Sequence, residues 1–216
     1  MNPNDDQLNF VNRNLDLLSK HKHLYMGRTV VTCAGDNGFT SHYVKKWGAS
    51  QVTACILDQN NSNFAKEYFS DIDVISTLTG TYDIFICLDK FEEQTNSLGF
   101  LQKITEITKN YIFLELAHVY ESPNPTSVWK LDETEVVQQP NLAWFIKAFK
   151  LYGFECDYIE KCLTQYLYKE RMFLRFYNSK NINSNSISIE QAWQINFPPM
   201  PRETKFSWDK FNQIIG

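Results

Sequence analysis

Residues 28–38 read Arg-Thr-Val-Val-Thr-Cys-Ala-Gly-Asp-Asn-Gly, a β-branched run that leads into a turn of small and polar residues. The apolar residues that follow fall on one face of a helix that ends at Gly48: Phe39, Tyr43, Val44 and Trp47. The stretch therefore predicts a strand, a tight turn and a helix. Such a turn brings backbone close to a ligand and points the N–H groups of the helix at it.

The same alternation of strand and helix continues along the chain. Strands are predicted from apolar or β-branched runs at residues 28–33, 52–57, 72–76, 82–87 and 111–116. Helical spacing predicts helices between them, including 63–69 and 98–107, and an amphipathic helix at 9–24 leads into the first strand. Five strands separated by helices require a mostly parallel sheet with right-handed crossovers.

The second half of the chain predicts a late helix followed by two strands that finish the sheet. Pro140 begins a helix that Gly153 ends, and residues 154–159 and 171–177 predict two further strands. The predicted fold class is α/β, with a mostly parallel seven-stranded sheet, helices on both faces and a C-terminal antiparallel hairpin. The predicted organisation is a helical lead-in at 1–27, one domain at 28–177, and a polar linker with an aromatic tail at 178–216 that packs on the domain.

Composition narrows the class of protein. Hydrophobic residues make up 43% of 216, enough for one large core, and the formal charge of -4 gives no broad basic surface for nucleic acid. The five cysteines predict buried free thiols in a reducing compartment, and His21 and His23 lack the spacing of a metal site. We expect a cytoplasmic protein, because no apolar run reaches the roughly 20 residues that a membrane span needs and the polar start is unlike a targeting signal.

Asp58 follows the second predicted strand, about 20 residues past the turn, where a carboxylate can accept hydrogen bonds from ribose hydroxyls. The turn itself departs from the dinucleotide pattern G-x-G-x-x-G. It resembles instead the first motif of class I S-adenosylmethionine (SAM)-dependent methyltransferases. Residues 82–89 are similar to that family's F-D-x-h segment, and 140–154, which ends in Gly-Phe, resembles its late helix. The likeness spans residues 28–177.

Three positions depart from the family's pattern. Thr32 stands where the family usually has an acid, and Ala34 replaces the first glycine of the motif. Ile56 occupies one alignment's position for the ribose-binding acid, with Asp58 two residues later.

The resemblance implies SAM as the cofactor, lying across the carboxyl ends of the first strands. It implies that the turn lines the methionine moiety and that Asp58 holds the ribose. It also implies that Ser76, Thr77 and Leu78, which follow the third strand, flank the adenine. The residues implied to bind the cofactor are Cys33, Ala34, Gly35, Asp36, Asn37, Gly38, Asp58, Thr77, Leu78 and Leu88.

Two side chains are candidates for the proton transfer that a hydroxyl nucleophile requires. His118 directly follows the fifth predicted strand and is the first candidate base; Asp89 is the second, as a base or as the residue that orients His118. Each also has a structural interpretation, as a surface-loop histidine and as a helix N-cap. Glu115 is less favoured as a base, and His42 is expected on the exposed face of its helix.

We therefore expect an O-methyltransferase that acts on a hydroxyl of a sugar, a glycan or another small acceptor. The acidic surface, His118 and the segment containing Trp129 and Asp132, which resembles methyltransferases of sugars and of tRNA wobble uridine, motivate that acceptor. A non-catalytic methyltransferase-like module that binds a partner through its aromatic tail is the first alternative. A tRNA-modifying methyltransferase with a local basic patch is the second: Lys45, Lys46 and Lys147.

Overall fold

The computed structural model describes residues 5–88, 90–91, 94, 96–117, 128–131, 136–139, 142–163, 170–188 and 191. Seven strands form one mixed sheet in the order β3-β2-β1-β4-β5-β9-β8, and β6 and β7 form a separate antiparallel pair. The chain forms two compact units, and the boundary between them lies between Tyr82 and Asp83.

The first unit alternates helices with parallel strands. Its elements are α1 (Asp5–Ser19), α2 (Lys22–Tyr25), β1 (Thr29–Ala34), α3 (Phe39–Lys46), β2 (Gln51–Cys55), α4 (Gln59–Tyr68) and β3 (Asp73–Ile75). The β1–β2 register runs from Thr29↔Gln51 to Thr32↔Ala54, and β2–β3 pairing ends at Cys55↔Ile75. Because all three strands are parallel, their carboxyl ends lie at the same edge of the sheet.

The core of the first unit is formed by β1 and by one face of α1. Val30 and Val31 are completely buried, and the apolar side of α1 buries Leu17 and Leu18. The predicted lead-in helix is therefore present, although it is divided into α1 and α2 between Ser19 and Lys22.

The second unit contains the remaining strands and two helices. Its elements are β4 (Tyr82–Leu88), α5 (Ser97–Ile107), β5 (Thr108–Ala117), β6 (Val128–Leu131), β7 (Val136–Gln139), α6 (Leu142–Leu151), β8 (Phe154–Leu163) and β9 (Glu170–Asn178). β9 pairs antiparallel with β5 and with β8. The connection between β8 and β9, which the predicted hairpin requires, lies outside the described residues.

Aromatic packing dominates the core of the second unit. Phe149 of α6 stacks on Phe176 of β9 with ring centroids 4.2 Å apart, and Phe145 meets Phe91 edge-on at 4.9 Å. All four rings are buried. Pairs in these geometries add about 0.5–1.5 kcal/mol each beyond the area they bury.

The residues after β9 are held against this unit by hydrogen bonds. The N–H of Ile187 donates to the carbonyl of Cys156 at 2.7 Å, and the Ser184 hydroxyl donates to Asp157 at 3.0 Å. The first part of the predicted linker therefore lies along β8.

All seven predicted strands are present, and apart from the divided lead-in helix the helices differ from their predicted bounds only at their ends. The β6–β7 pair was not predicted, because its two strands are only four residues long. None of the helices in the described ranges has the length and apolar character needed to span a membrane.

Candidate functional site

The turn between β1 and α3 is built on left-handed backbone. Gly38 has φ +96° and is the N-cap of α3, and the preceding Asn37 has φ +57°. A Cβ at Gly38 would lie 3.0 Å from the Cβ of Ala65 and 3.2 Å from Cδ2 of Phe69. Gly38 is thus required for the close packing of this turn on α4, whereas Gly35 is exposed.

The Asp36 side chain points into the first unit. Its Oδ2 accepts hydrogen bonds from the backbone N–H of Thr40 at 3.0 Å, from the Thr40 hydroxyl, and from Nδ2 of Asn14 at 3.3 Å. The carboxylate therefore satisfies an N–H group at the start of α3 and joins that helix to α1. Burial raises the pKa of Asp36, and these hydrogen bonds oppose that rise. Its Oδ1 has no hydrogen-bond partner within the described part of the chain.

Asp58 is the N-cap of α4. Its Oδ1 accepts a hydrogen bond from the backbone N–H of Asn61 at 2.8 Å, and the residue is exposed. Ile56, two residues earlier, is buried, and its N–H donates to the carbonyl of Ile75 at 2.9 Å. The side chain directly after β2 is therefore apolar, and the next carboxylate along the chain, that of Asp58, caps α4.

A cavity of about 350 Å³ lies at the carboxyl ends of β2 and β3. Ile56, Leu57 and Ile75 supply its apolar lining, and Leu57 is 75% exposed. Its remaining lining is polar: Gln59, Ser62, Lys66, Ser76, Thr77 and Thr79, with Val74 beside them. Its volume lies within the range of about 300–1,000 Å³ that small-molecule sites occupy.

Only some of the residues predicted to flank the adenine line this cavity. Thr77 and Ser76 line it, whereas Leu78 is half-buried and is not part of the lining. Asp58 lies in the chain between two lining residues, Leu57 and Gln59. The lining of the cavity therefore includes residues from the segment predicted to bind the adenine and residues on both sides of Asp58, which is predicted to bind the ribose.

The other predicted residues do not belong to the cavity. Cys33 is buried at the end of β1, and Leu88 is completely buried in the second unit. Both candidate catalytic residues, Asp89 and His118, lie outside the described residues. Glu115 is also buried, and its carboxylate oxygens accept hydrogen bonds from Nε and Nη2 of Arg171 at 2.9 and 3.5 Å.

The expectation for His42 was wrong. Its ring stacks on Phe69 with centroids 4.8 Å apart, and Nδ1 lies 2.8 Å from Oδ1 of Asp71. The helical spacing alone did not show that the end of α4 and the residues before β3 cover this face of α3.

Sequence reasoning missed Leu57, Ser62 and Lys66. Leu57 could have been noticed because it lies between the second predicted strand and Asp58, at the carboxyl end of the strand, where open α/β sheets bind ligands. Ser62 and Lys66 lie four residues apart on α4, and this spacing places both on one face of the helix.

Searches by sequence found no similar protein: no family model matches the chain, and no curated protein matches it. Solved structures do match. Magnesium protoporphyrin IX methyltransferase from Synechocystis PCC 6803 with bound SAH is 16% identical, with a TM-score of 0.63 over 83% of this chain and 89% of that one.

Two further structures show how widely this fold is used. A SAM-dependent methyltransferase from Mesorhizobium loti is 11% identical, with a TM-score of 0.58 over 74% of this chain and 97% of that one. The [4+2]-cyclase SpnF is 11% identical, with a TM-score of 0.60 over 77% of this chain and 81% of that one. At these identities the likeness establishes architecture and leaves chemistry open. The chain therefore has the Rossmann-like fold of the class I SAM-dependent methyltransferases.

Proposed function

We propose that this protein is a SAM-dependent methyltransferase that methylates a hydroxyl of a sugar, a glycan or another small acceptor. The observation that carries the proposal is the cavity at the carboxyl ends of β2 and β3, with the exposed Leu57 at its side. In open α/β sheets, ligands bind outside the carboxyl ends of the strands.

The cavity fits the adenosine end of SAM. Ile56 and Leu57 offer apolar contact to the flat face of a base, and the hydroxyls of Ser76 and Thr77 can hydrogen bond to its edge. The Asp58 carboxylate uses Oδ1 to cap α4. Its Oδ2 would accept a hydrogen bond from a ribose hydroxyl, because each carboxylate oxygen can accept separately.

The turn after β1 would hold the methionine end. Exposed Gly35 leaves the backbone open to a ligand, while Asp36 fixes the turn by holding the first residues of α3. The chain's own contribution there is a rigid loop rather than a side-chain ligand, because the Asp36 side chain is directed into the protein.

When bound, SAM would supply an electrophilic methyl group on a sulfonium. The acceptor hydroxyl must lose its proton as its oxygen forms a bond to the methyl carbon and the carbon–sulfur bond breaks. We assign proton removal to His118, with Asp89 as the orienting residue or as the alternative base. The protein otherwise aligns the two reactants and excludes water.

Calorimetric titration with SAH and SAM tests the cofactor site. Leu57→Ala should weaken binding about tenfold, because full burial of a leucine contributes about 1.5–3 kcal/mol and a tenfold change, about 1.4 kcal/mol, corresponds to partial coverage by the ligand. Leu151→Ala is the matched control, since Leu151 is 86% exposed on α6 of the second unit and should leave binding unchanged. Equal affinities for the wild type and the Leu57 variant would exclude the cavity as the adenosine site.

The non-catalytic module remains a second candidate, because both carboxylates of the predicted site hold helix N-termini. Asp36 accepts from Thr40, and Asp58 accepts from Asn61. Replacement of Gly35 with a bulky residue separates the two functions. A folded variant that loses function would favour the enzyme, whereas unchanged function would favour the binding module.

A further inference from the structure

Two cysteines occupy neighbouring strands at the carboxyl edge of the sheet. The β1–β2 register pairs Thr32 with Ala54, and the next step along both strands brings Cys33 opposite Cys55. Side chains opposite each other on parallel strands point to the same face. Neighbouring strands lie about 4.8 Å apart, which is within the range of about 4.4–6.8 Å that a disulfide spans between Cα atoms.

The neighbouring Cys33 side chain affects the ionisation of Cys55. Hydrogen bonding with Cys33 lowers the pKa of the Cys55 thiol, and burial opposes that effect. A thiolate is the nucleophilic form of cysteine, so this contact activates Cys55 toward oxidants. Each residue is 8% exposed, which leaves a narrow path for a small reagent.

Two other cysteines, Cys87 and Cys156, lack this combination. Cys87 is completely buried, and Cys156 is 1% exposed. Burial raises the pKa of the Cys156 thiol to about 12, so it remains protonated at neutral pH. The β1–β2 pair thus differs from Cys87 and Cys156, because its two thiols lie on adjacent strands and each residue keeps a small exposed fraction.

We propose that Cys33 and Cys55 form a dithiol modification site that a peroxide converts to an intrachain disulfide. The Cys55 thiolate attacks one oxygen of hydrogen peroxide, the O–O bond breaks, and the leaving hydroxide takes up the ionised proton to form water. The Cys33 sulfur then displaces the hydroxyl of the Cys55 sulfenic acid, and its proton leaves with that hydroxyl as a second water. Two thiols lose two electrons, and one peroxide gains them.

The position gives this modification a consequence for ligand binding. Cys33 is the penultimate residue of β1, next to the turn that follows it, and Cys55 directly precedes Ile56 of the cavity. A covalent bond between the two strand ends would shift both segments. This extension rests on the proposed function, and it predicts that the oxidised protein binds SAH about tenfold more weakly, an effect of ordinary allosteric size.

The test is peptide mapping of the folded full-length protein after treatment with hydrogen peroxide. We expect a linked pair of peptides that carry Cys33 and Cys55, cleaved by dithiothreitol, while the peptides of Cys87 and Cys156 remain as free thiols. Cys33→Ser and Cys55→Ser should each abolish the linked species. Oxidation of either cysteine without linkage, or linkage to a different cysteine, would overturn the proposal.

SAH titration of reduced and oxidised protein forms the second arm. If the reduced protein fails to bind SAH, the proposed function fails while the mapped disulfide stands. If the reduced protein binds SAH and oxidation leaves the affinity unchanged, the dithiol site stands but its effect on binding is refuted.

Discussion

Substitution of Gly38 by alanine should strongly destabilise the first unit, because two separate costs fall on one position. Gly38 has φ +96°, a conformation that costs an L-residue about 1–2 kcal/mol. The new Cβ would lie 3.0 Å from the Cβ of Ala65 and 3.2 Å from Phe69. Overpacking of this kind costs about 1–3 kcal/mol, so the total expected loss is about 2–5 kcal/mol.

Gly27 provides the matched control for this prediction. It has φ +69°, and a Cβ placed on it would meet nothing within 4 Å. Gly27→Ala should therefore show only the conformational cost of about 1–2 kcal/mol. Urea unfolding followed by circular dichroism measures both variants, and the difference between their midpoints isolates the contact with α4. Equal losses would refute the account of why glycine is needed at the turn.

Two further substitutions test buried charges. Asp36→Asn should stabilise the protein at pH 7, because burial disfavours the charged carboxylate that the neutral amide replaces. Because burial raises the pKa of Asp36, the contribution of its side chain to stability is fully present below about pH 3.8 and is lost as pH rises through the folded-state pKa. In paired urea titrations, the greater stability of the variant should therefore disappear on acidification. Glu115→Gln should destabilise by about 3–5 kcal/mol, since it removes one charge of a buried ion pair. In thermal unfolding, a loss smaller than that of Asp157→Asn, whose Arg175 partner is 17% exposed, would contradict this ranking.

The fold was predictable because local pattern and tertiary structure agree along most of the chain. The β-branched run at β1 and the apolar run at β4 are buried as their composition predicts, and the glycines at 38, 48 and 153 occupy left-handed backbone where helices begin or end. Neither β6 nor β7 contains a long apolar run. Pairing between the two strands, rather than the sequence of either one, therefore determines that both are extended.

The site was predictable only in part, because one residue type serves two purposes. An aspartate after a strand can hold a ribose or cap the next helix, and Asp58 does the second in the structure. Sequence spacing cannot separate these roles, since both place the carboxylate at the same strand end. The exposure of Leu57 depends on how α4 and the residues after β3 surround it, which no local pattern encodes.

Calorimetric titration of the wild-type protein with SAH tests the central claim most directly. A saturable transition with one site per chain is predicted, weakened about tenfold by Leu57→Ala and unaffected by Leu151→Ala. Absence of any binding heat at millimolar ligand, from protein that circular dichroism shows to be folded, would contradict the assignment of a SAM site and leave only the architecture.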